Sequence, residues 1–162
     1  YIYPVEEYRS ISPYAADVID ALTQALTSKP GGGSPSDLPF LPMWNAAQIF
    51  SSNVDYFNFK NGSGLRFLTM YGQDLWPVNN QSLFYTYQGI TNDNQYYICA
   101  VLPITHPALP TEGEINDPSS FYDNWDTYIA DTIAMLETQD SLSFYPSLTN
   151  LDAMMASFEI NR

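Results

Sequence analysis

Residues 54–103 read VDYFNFKNGSGLRFLTMYGQDLWPVNNQSLFYTYQGITNDNQYYICAVLP. Four segments rich in Tyr, Phe, Leu, Ile and Val are separated by turn chemistry. Val54–Lys60 and Leu65–Gln73 flank Asn61-Gly62-Ser63-Gly64, where glycine supplies the backbone angles a hairpin needs. Leu83–Ile90 and Gln95–Pro103 flank Asn92-Asp93-Asn94, residue types that tolerate positive φ. The pattern predicts two successive antiparallel hairpins. Tyr85 and Tyr87 alternate with Phe84, Thr86 and Gln88, and Tyr97, Cys99 and Val101 alternate with Ile98, Ala100 and Leu102. Neither face is cleanly polar, so either both are covered or one carries an aromatic surface.

The flanking segments read as cover for this sheet. Ser12 and Pro13 make a helix start, and Tyr14, Val18, Leu22 and Leu26 follow at intervals of four. Asp17 and Asp20 near the start and Lys29 past the end suit the helix dipole. Residues 29–42 hold three Gly and four Pro, which fits a linker or surface loop and neither helix nor central strand. Tyr1–Ile11 reads as extended. Met43–Ser51 reads as a short helix with Trp44, Ala47 and Phe50 on one face. Ser120–Gln139 reads as one long helix, Ser147–Ala156 as a short one, and Ser157–Asn161 as a last edge strand. The expected architecture is α+β: a single domain over residues 1–162, with an antiparallel sheet of four to five strands packed against helices, α/β/α-sandwich-like.

Composition bounds the function. A chain of 162 residues can bury roughly 70% of its unfolded surface without a staple. Eighteen Asp and Glu against five Lys and Arg give a net charge of −13, the opposite of the basic footprint that nucleic acid requires. No window of 18 apolar residues exists, so nothing in the sequence spans a membrane as a helix. Only 14% of residues are charged, with Asn, Gln, Ser and Thr in their place, a composition common in secreted proteins. The start at Tyr1 rather than Met fits a processed product, so an extracytoplasmic address is expected, with attachment through a lipidated leader as one form of it.

The chemistry-bearing residues are sparse. Cys99 and His106 are the only residues of their kinds; Cys99 sits mid-strand, where a small thiol packs, and His106 lies beyond the strand end. No Gly-x-Ser-x-Gly elbow accompanies His106, and one His cannot assemble a zinc site. Glu112, Glu114, Asp117, Asp123 and Asp126 crowd one loop and helix start; calcium near Asp117, Asp123 and Asp126 is weighed there against a plain acidic helix cap. Carboxylate pairs suited to glycoside hydrolysis are not singled out by spacing. Pairing around Asn61–Gly64 would set Arg66 opposite Phe59 and near Phe57 as a cation–π cover, with anion binding as the sharper alternative. The best binding candidate is the loop Trp76-Pro77-Val78-Asn79-Asn80-Gln81. Its indole and amides, with Tyr85 and Tyr87 on the neighbouring strand and Arg66 nearby, suit a sugar ring or a peptide.

The core GLRFLTMYGQ…VNNQSLFYTYQGITNDNQYYICAVLPITHPALP resembles a segment of uncharacterised secreted or lipoprotein domains of bacteria, and the close SLTNLDAMMASFEI is similar to that of PsbP/Mog1-like domains. The second resemblance implies an α/β/α sandwich and a non-enzymatic accessory role. The expected function is therefore a non-enzymatic extracytoplasmic binding or accessory domain that recognises a protein or glycan partner. A hydrolase of glycosides or esters, built on carboxylates or His106, is the alternative.

Overall fold

A computed structural model describes residues 1–29 and 38–161. Its centre is one antiparallel sheet of five strands: β1 (Ile2–Pro4), β2 (Ala47–Phe59), β3 (Gly62–Gly72), β4 (Phe84–Thr91) and β5 (Tyr96–Pro103), in the order β1-β5-β4-β3-β2. The two expected hairpins are β2–β3 and β4–β5. Helices α1 (Val5–Ile11) and α2 (Pro13–Ser28) lie on one face; α3 (Pro118–Asp123), α4 (Trp125–Glu137) and α5 (Leu148–Ala156) follow the sheet in the chain. Among the described residues no helix is long and apolar enough to cross a membrane.

Side-chain alternation divides the core in two. Leu65, Phe67, Phe84, Ile90, Tyr97 and Cys99 face α2, where Val18, Ile19 and Leu22 meet them. Phe50, Leu68, Met70, Tyr85, Tyr87 and Ile98 face α4 and α5, where Ile133, Leu136, Leu148 and Leu151 meet them. Every residue of β4 is buried, as expected of a central strand covered on both sides. Gly64 lets Tyr87 lie across the sheet: a Cβ there would come within 2.5 Å of the Tyr87 ring. The Tyr87 hydroxyl then reaches the Phe57 carbonyl at 2.9 Å.

Several local expectations are corrected. Residues 43–51 form no helix; from Ala47 they belong to β2, with Phe50 opposite Met70 in the core. A threefold spacing of apolar residues over nine positions is weaker than a ladder with β3. The N-terminal segment is a three-residue strand followed by a helix rather than extended throughout. The helix expected over 120–139 is two, broken at Asn124, whose Nδ2 donates to the Ser120 carbonyl at 2.7 Å. The C-terminal residues add no strand. Asn61 holds them instead, donating to the Ile160 carbonyl at 2.8 Å and accepting from its N–H at 3.2 Å.

The first turn is also tighter than expected. Phe59 pairs with Gly62, so only Lys60 and Asn61 connect the strands. This places Arg66 opposite Asp55, not Phe59, and removes the cation–π cover. The second turn keeps its expected chemistry, with Asn94 at φ 57°. Of the proposed 29–42 linker, residues 30–37 lie outside the described residues, whereas Phe40 and Leu41 are core residues on the α2 face.

Candidate functional site

Six residues were candidates for binding: Trp76, Asn79, Asn80, Tyr85, Tyr87 and Arg66. Only Trp76 presents a substantial surface, at 45% exposure. Its indole is seated against Gly113, where a Cβ would stand 2.5 Å from Trp76 Nε1. Asn79 is buried and shapes its own loop, accepting from the N–H groups of Gln81 and Ser82 at 3.0 and 3.1 Å. Asn80 stitches two loops: its Nδ2 donates to the carbonyls of His106 and Leu109, and its Oδ1 accepts from His106 N–H. The amides beside Trp76 are thus consumed by the fold.

Tyr85 and Tyr87 are fully buried and offer no aromatic surface. Burial, then the charge and hydrogen bond of Asp152, push the Tyr85 hydroxyl far up. It is a fixed neutral donor, 2.9 Å from Asp152 Oδ1. Arg66, 7% exposed, is likewise committed. It forms a forked pair with Asp152, lies 3.7 Å from Asp55 and donates to the Asn53 carbonyl. A free anion would have to displace these partners.

His106 has a partner that the sequence did not suggest, Ser143, 37 residues away and 2.9 Å from Nε2. The direction of the bonds decides what the pair can do. His106 Nδ1 accepts from Ala108 N–H at 3.1 Å, which leaves the ring proton on Nε2, facing Ser143. Ser143 Oγ donates in turn to the Asp140 carbonyl at 2.6 Å. The imidazole therefore presents a proton, not a lone pair, to the hydroxyl, the reverse of a nucleophile–base pair. Burial pushes its pKa down, and its ring packs on Phe144 at 4.7 Å.

Cys99 is buried, its thiol pushed up to about 11 by burial. It donates to the Leu41 carbonyl and receives Gln88 Nε2 at 3.2 Å. In the acidic region Asp117 caps α3 by accepting from Ser120 N–H. Among the described residues no group of three or more His, Cys, Asp or Glu is placed to hold a metal ion.

A different set of aromatic and amide side chains stands together around Trp44. Trp44, at 42% exposure, stands edge-on to Phe40, Tyr71 and Phe84, with ring centroids 4.9, 5.2 and 5.4 Å away. Beside it opens a hollow of about 480 Å³ lined by Trp44, Asn45, Ala46, Tyr71, Gly72, Gln73, Ser82 and Phe84. An adjoining hollow of about 370 Å³ runs under Tyr14 past Pro39 and Gln48. Gln73 Nε2 donates to the Asn45 carbonyl at 2.9 Å and steadies the rim. The helix expected over Met43–Ser51 would set Trp44 on one face with Ala47 and Phe50; with β2 starting at Ala47, Trp44 lies before the strand and is 42% exposed. Two other grooves, along α4 and between β5 and α5, are walled chiefly by aliphatic side chains.

No protein-family model, curated protein or solved structure matches the chain.

Proposed function

We propose that this chain is a non-enzymatic extracytoplasmic recognition or accessory domain that binds a protein or glycan partner. The observation that carries this reading is the half-exposed Trp44 shelf on Phe40, Tyr71 and Phe84, with amides at its rim. Large aromatics that stay partly exposed beside a concave surface are the commonest anchors of recognition sites. The low charged fraction and the abundance of neutral polar residues support the extracytoplasmic address. The bond directions at His106 weigh against the His106-based form of the hydrolase alternative.

The test is a parallel screen of the intact domain on a glycan array and a displayed random-peptide library. Ligands enriched by the domain and lost on Trp44→Ala, with the circular dichroism spectrum unchanged, are the expected result. Enrichment that survives Trp44→Ala would move the site away from the shelf. No enrichment from either library would overturn recognition itself.

A further inference from the structure

We infer that the Trp44 shelf takes an uncharged carbohydrate; this rests on the recognition reading above and names its ligand class. The first reason is charge. The chain carries 18 carboxylates, yet among the described residues none lines the 480 Å³ hollow, and no Lys or Arg does either. An anionic glycan would meet a protein of net charge −13 with no cation in that lining to receive it, and the carboxylate in reach of a cationic ligand, Asp17, lines the adjoining hollow instead.

The second reason is the inventory of unspent polar groups. Trp44 Nε1, the Asn45 side-chain amide, Gln73 Oε1 and Ser82 Oγ belong to residues lining the hollow, and none is taken up by a hydrogen bond within the described residues. Together they offer donors and acceptors of neutral character, which suits hydroxyl groups that both donate and accept. Trp44, 42% exposed, is the aromatic of the shelf, and an indole is the kind of group on which the apolar C–H side of a sugar ring rests. A volume of about 480 Å³ lies within the range of small-ligand sites.

The third reason separates sugar from peptide. An extended peptide would seek the open edge of β2, which runs beside the hollow from Ala47. In its pairing with β3, β2 shifts register between Gln48 and Phe50 and again between Ser52 and Asp55, and a backbone irregular at two places is a poor template for a further strand on its other side.

Isothermal titration of the intact chain tests the inference. The probes are neutral hexasaccharides of glucose, mannose, galactose, xylose and N-acetylglucosamine, with hexagalacturonate as the anionic counterpart. At least one neutral member is expected to bind saturably, and hexagalacturonate at least tenfold more weakly. Trp44→Ala should abolish that binding and Gln73→Ala should weaken it about tenfold, while Trp76→Ala leaves it unchanged. Because Gln73 is exposed, its variant reports on the site even where Trp44→Ala perturbs folding. Preferred binding of the uronate, or neutral binding indifferent to Gln73 and Trp44, overturns the inference. Shelf-dependent peptide binding with no neutral sugar bound overturns the ligand class and leaves recognition standing. Binding of neither overturns both.

Discussion

Arg66 and Asp152 are joined by two parallel hydrogen bonds, Nε to Oδ1 at 3.2 Å and Nη2 to Oδ2 at 3.0 Å. The pair fastens α5 to β3 on the side of the sheet that faces α4 and α5, and Tyr85 completes it by donating to the same carboxylate. Arg66 is buried, so Asp152→Ala would strand its guanidinium. Breaking a fully buried pair costs about 3–5 kcal/mol. The Asp152 side chain is 24% exposed and Asp55 remains 3.7 Å from Arg66, so about 2–3 kcal/mol is expected here. Urea denaturation would show it as a lower midpoint at unchanged slope. Replacing both partners, Arg66→Met with Asp152→Leu, should recover the part of the loss that comes from the stranded guanidinium, since an apolar pair leaves no uncompensated charge, but not the part that comes from the Tyr85 hydroxyl, which stays without its acceptor. A single-variant loss below about 0.5 kcal/mol would mean that water already solvates the guanidinium.

On the opposite face of the sheet, Gln88 holds the main chain of Leu41. Its Oε1 accepts from Leu41 N–H at 3.1 Å and its Nε2 donates to the Leu41 carbonyl at 3.2 Å. Tyr97 donates to the same Oε1 at 2.6 Å. Gln88→Leu would orphan two buried groups, Leu41 N–H and the Tyr97 hydroxyl, at about 1–3 kcal/mol each when neither can reach water, while the Leu41 carbonyl keeps the Cys99 thiol. Relaxation of the Leu41 segment should limit the total to about 3 kcal/mol. Cys99 lies inside this network and gives a direct readout. With its thiol pushed up to about 11, alkylation by iodoacetamide at pH 8 should proceed only through opening of the structure. Gln88→Leu should accelerate it by the factor that corresponds to the lost stability. A native thiol that reacts as fast as the urea-unfolded one would show that the network is not closed.

The sheet was legible because its signals are local. Asn92-Asp93-Asn94 marks a turn whatever surrounds it, and Asn94 takes the left-handed conformation its side chain permits. The apolar spacing from Val18 to Leu22 identifies α2 by periodicity alone, and both residues are core. The site was illegible because each of its errors depends on pairing over distance. Whether Trp44 is buried turns on residues 47–59 finding β3, and whether Arg66 sees Phe59 or Asp55 turns on a two-residue difference in one turn. Asn79 and Asn80 looked like free amides because nothing in their neighbourhood names His106 or Leu109 as the groups that consume them. Tyr85 and Tyr87 show the same limit from the other side. A strand rich in Tyr is compatible with a binding face or with a core whose hydroxyls find partners, and Asp152 and the Phe57 carbonyl decide for the core.

His106 makes stability depend on pH in a calculable direction. Burial lowers its folded pKa below the ordinary imidazole value of 6.5. Its Nδ1 accepts from Ala108 N–H, so protonation would set one donor against another. As pH falls through about 6.5, the unfolded chain takes up a proton that the folded chain refuses, and stability declines by at most about 1.4 kcal/mol per pH unit for this one group. The decline from this source ends once the pH is below the folded value, where both states are protonated. The 18 carboxylates add their own dependence at lower pH, so the diagnostic is a difference. Between pH 7.5 and 5.5 the native chain should lose more stability than His106→Gln, which keeps a neutral amide donor in place of the ring N–H. Urea midpoints at four or five pH values would measure it. Parallel curves for the two proteins would show that the imidazole titrates alike in both states, and that its bonds to Ala108 and Ser143 open freely to water.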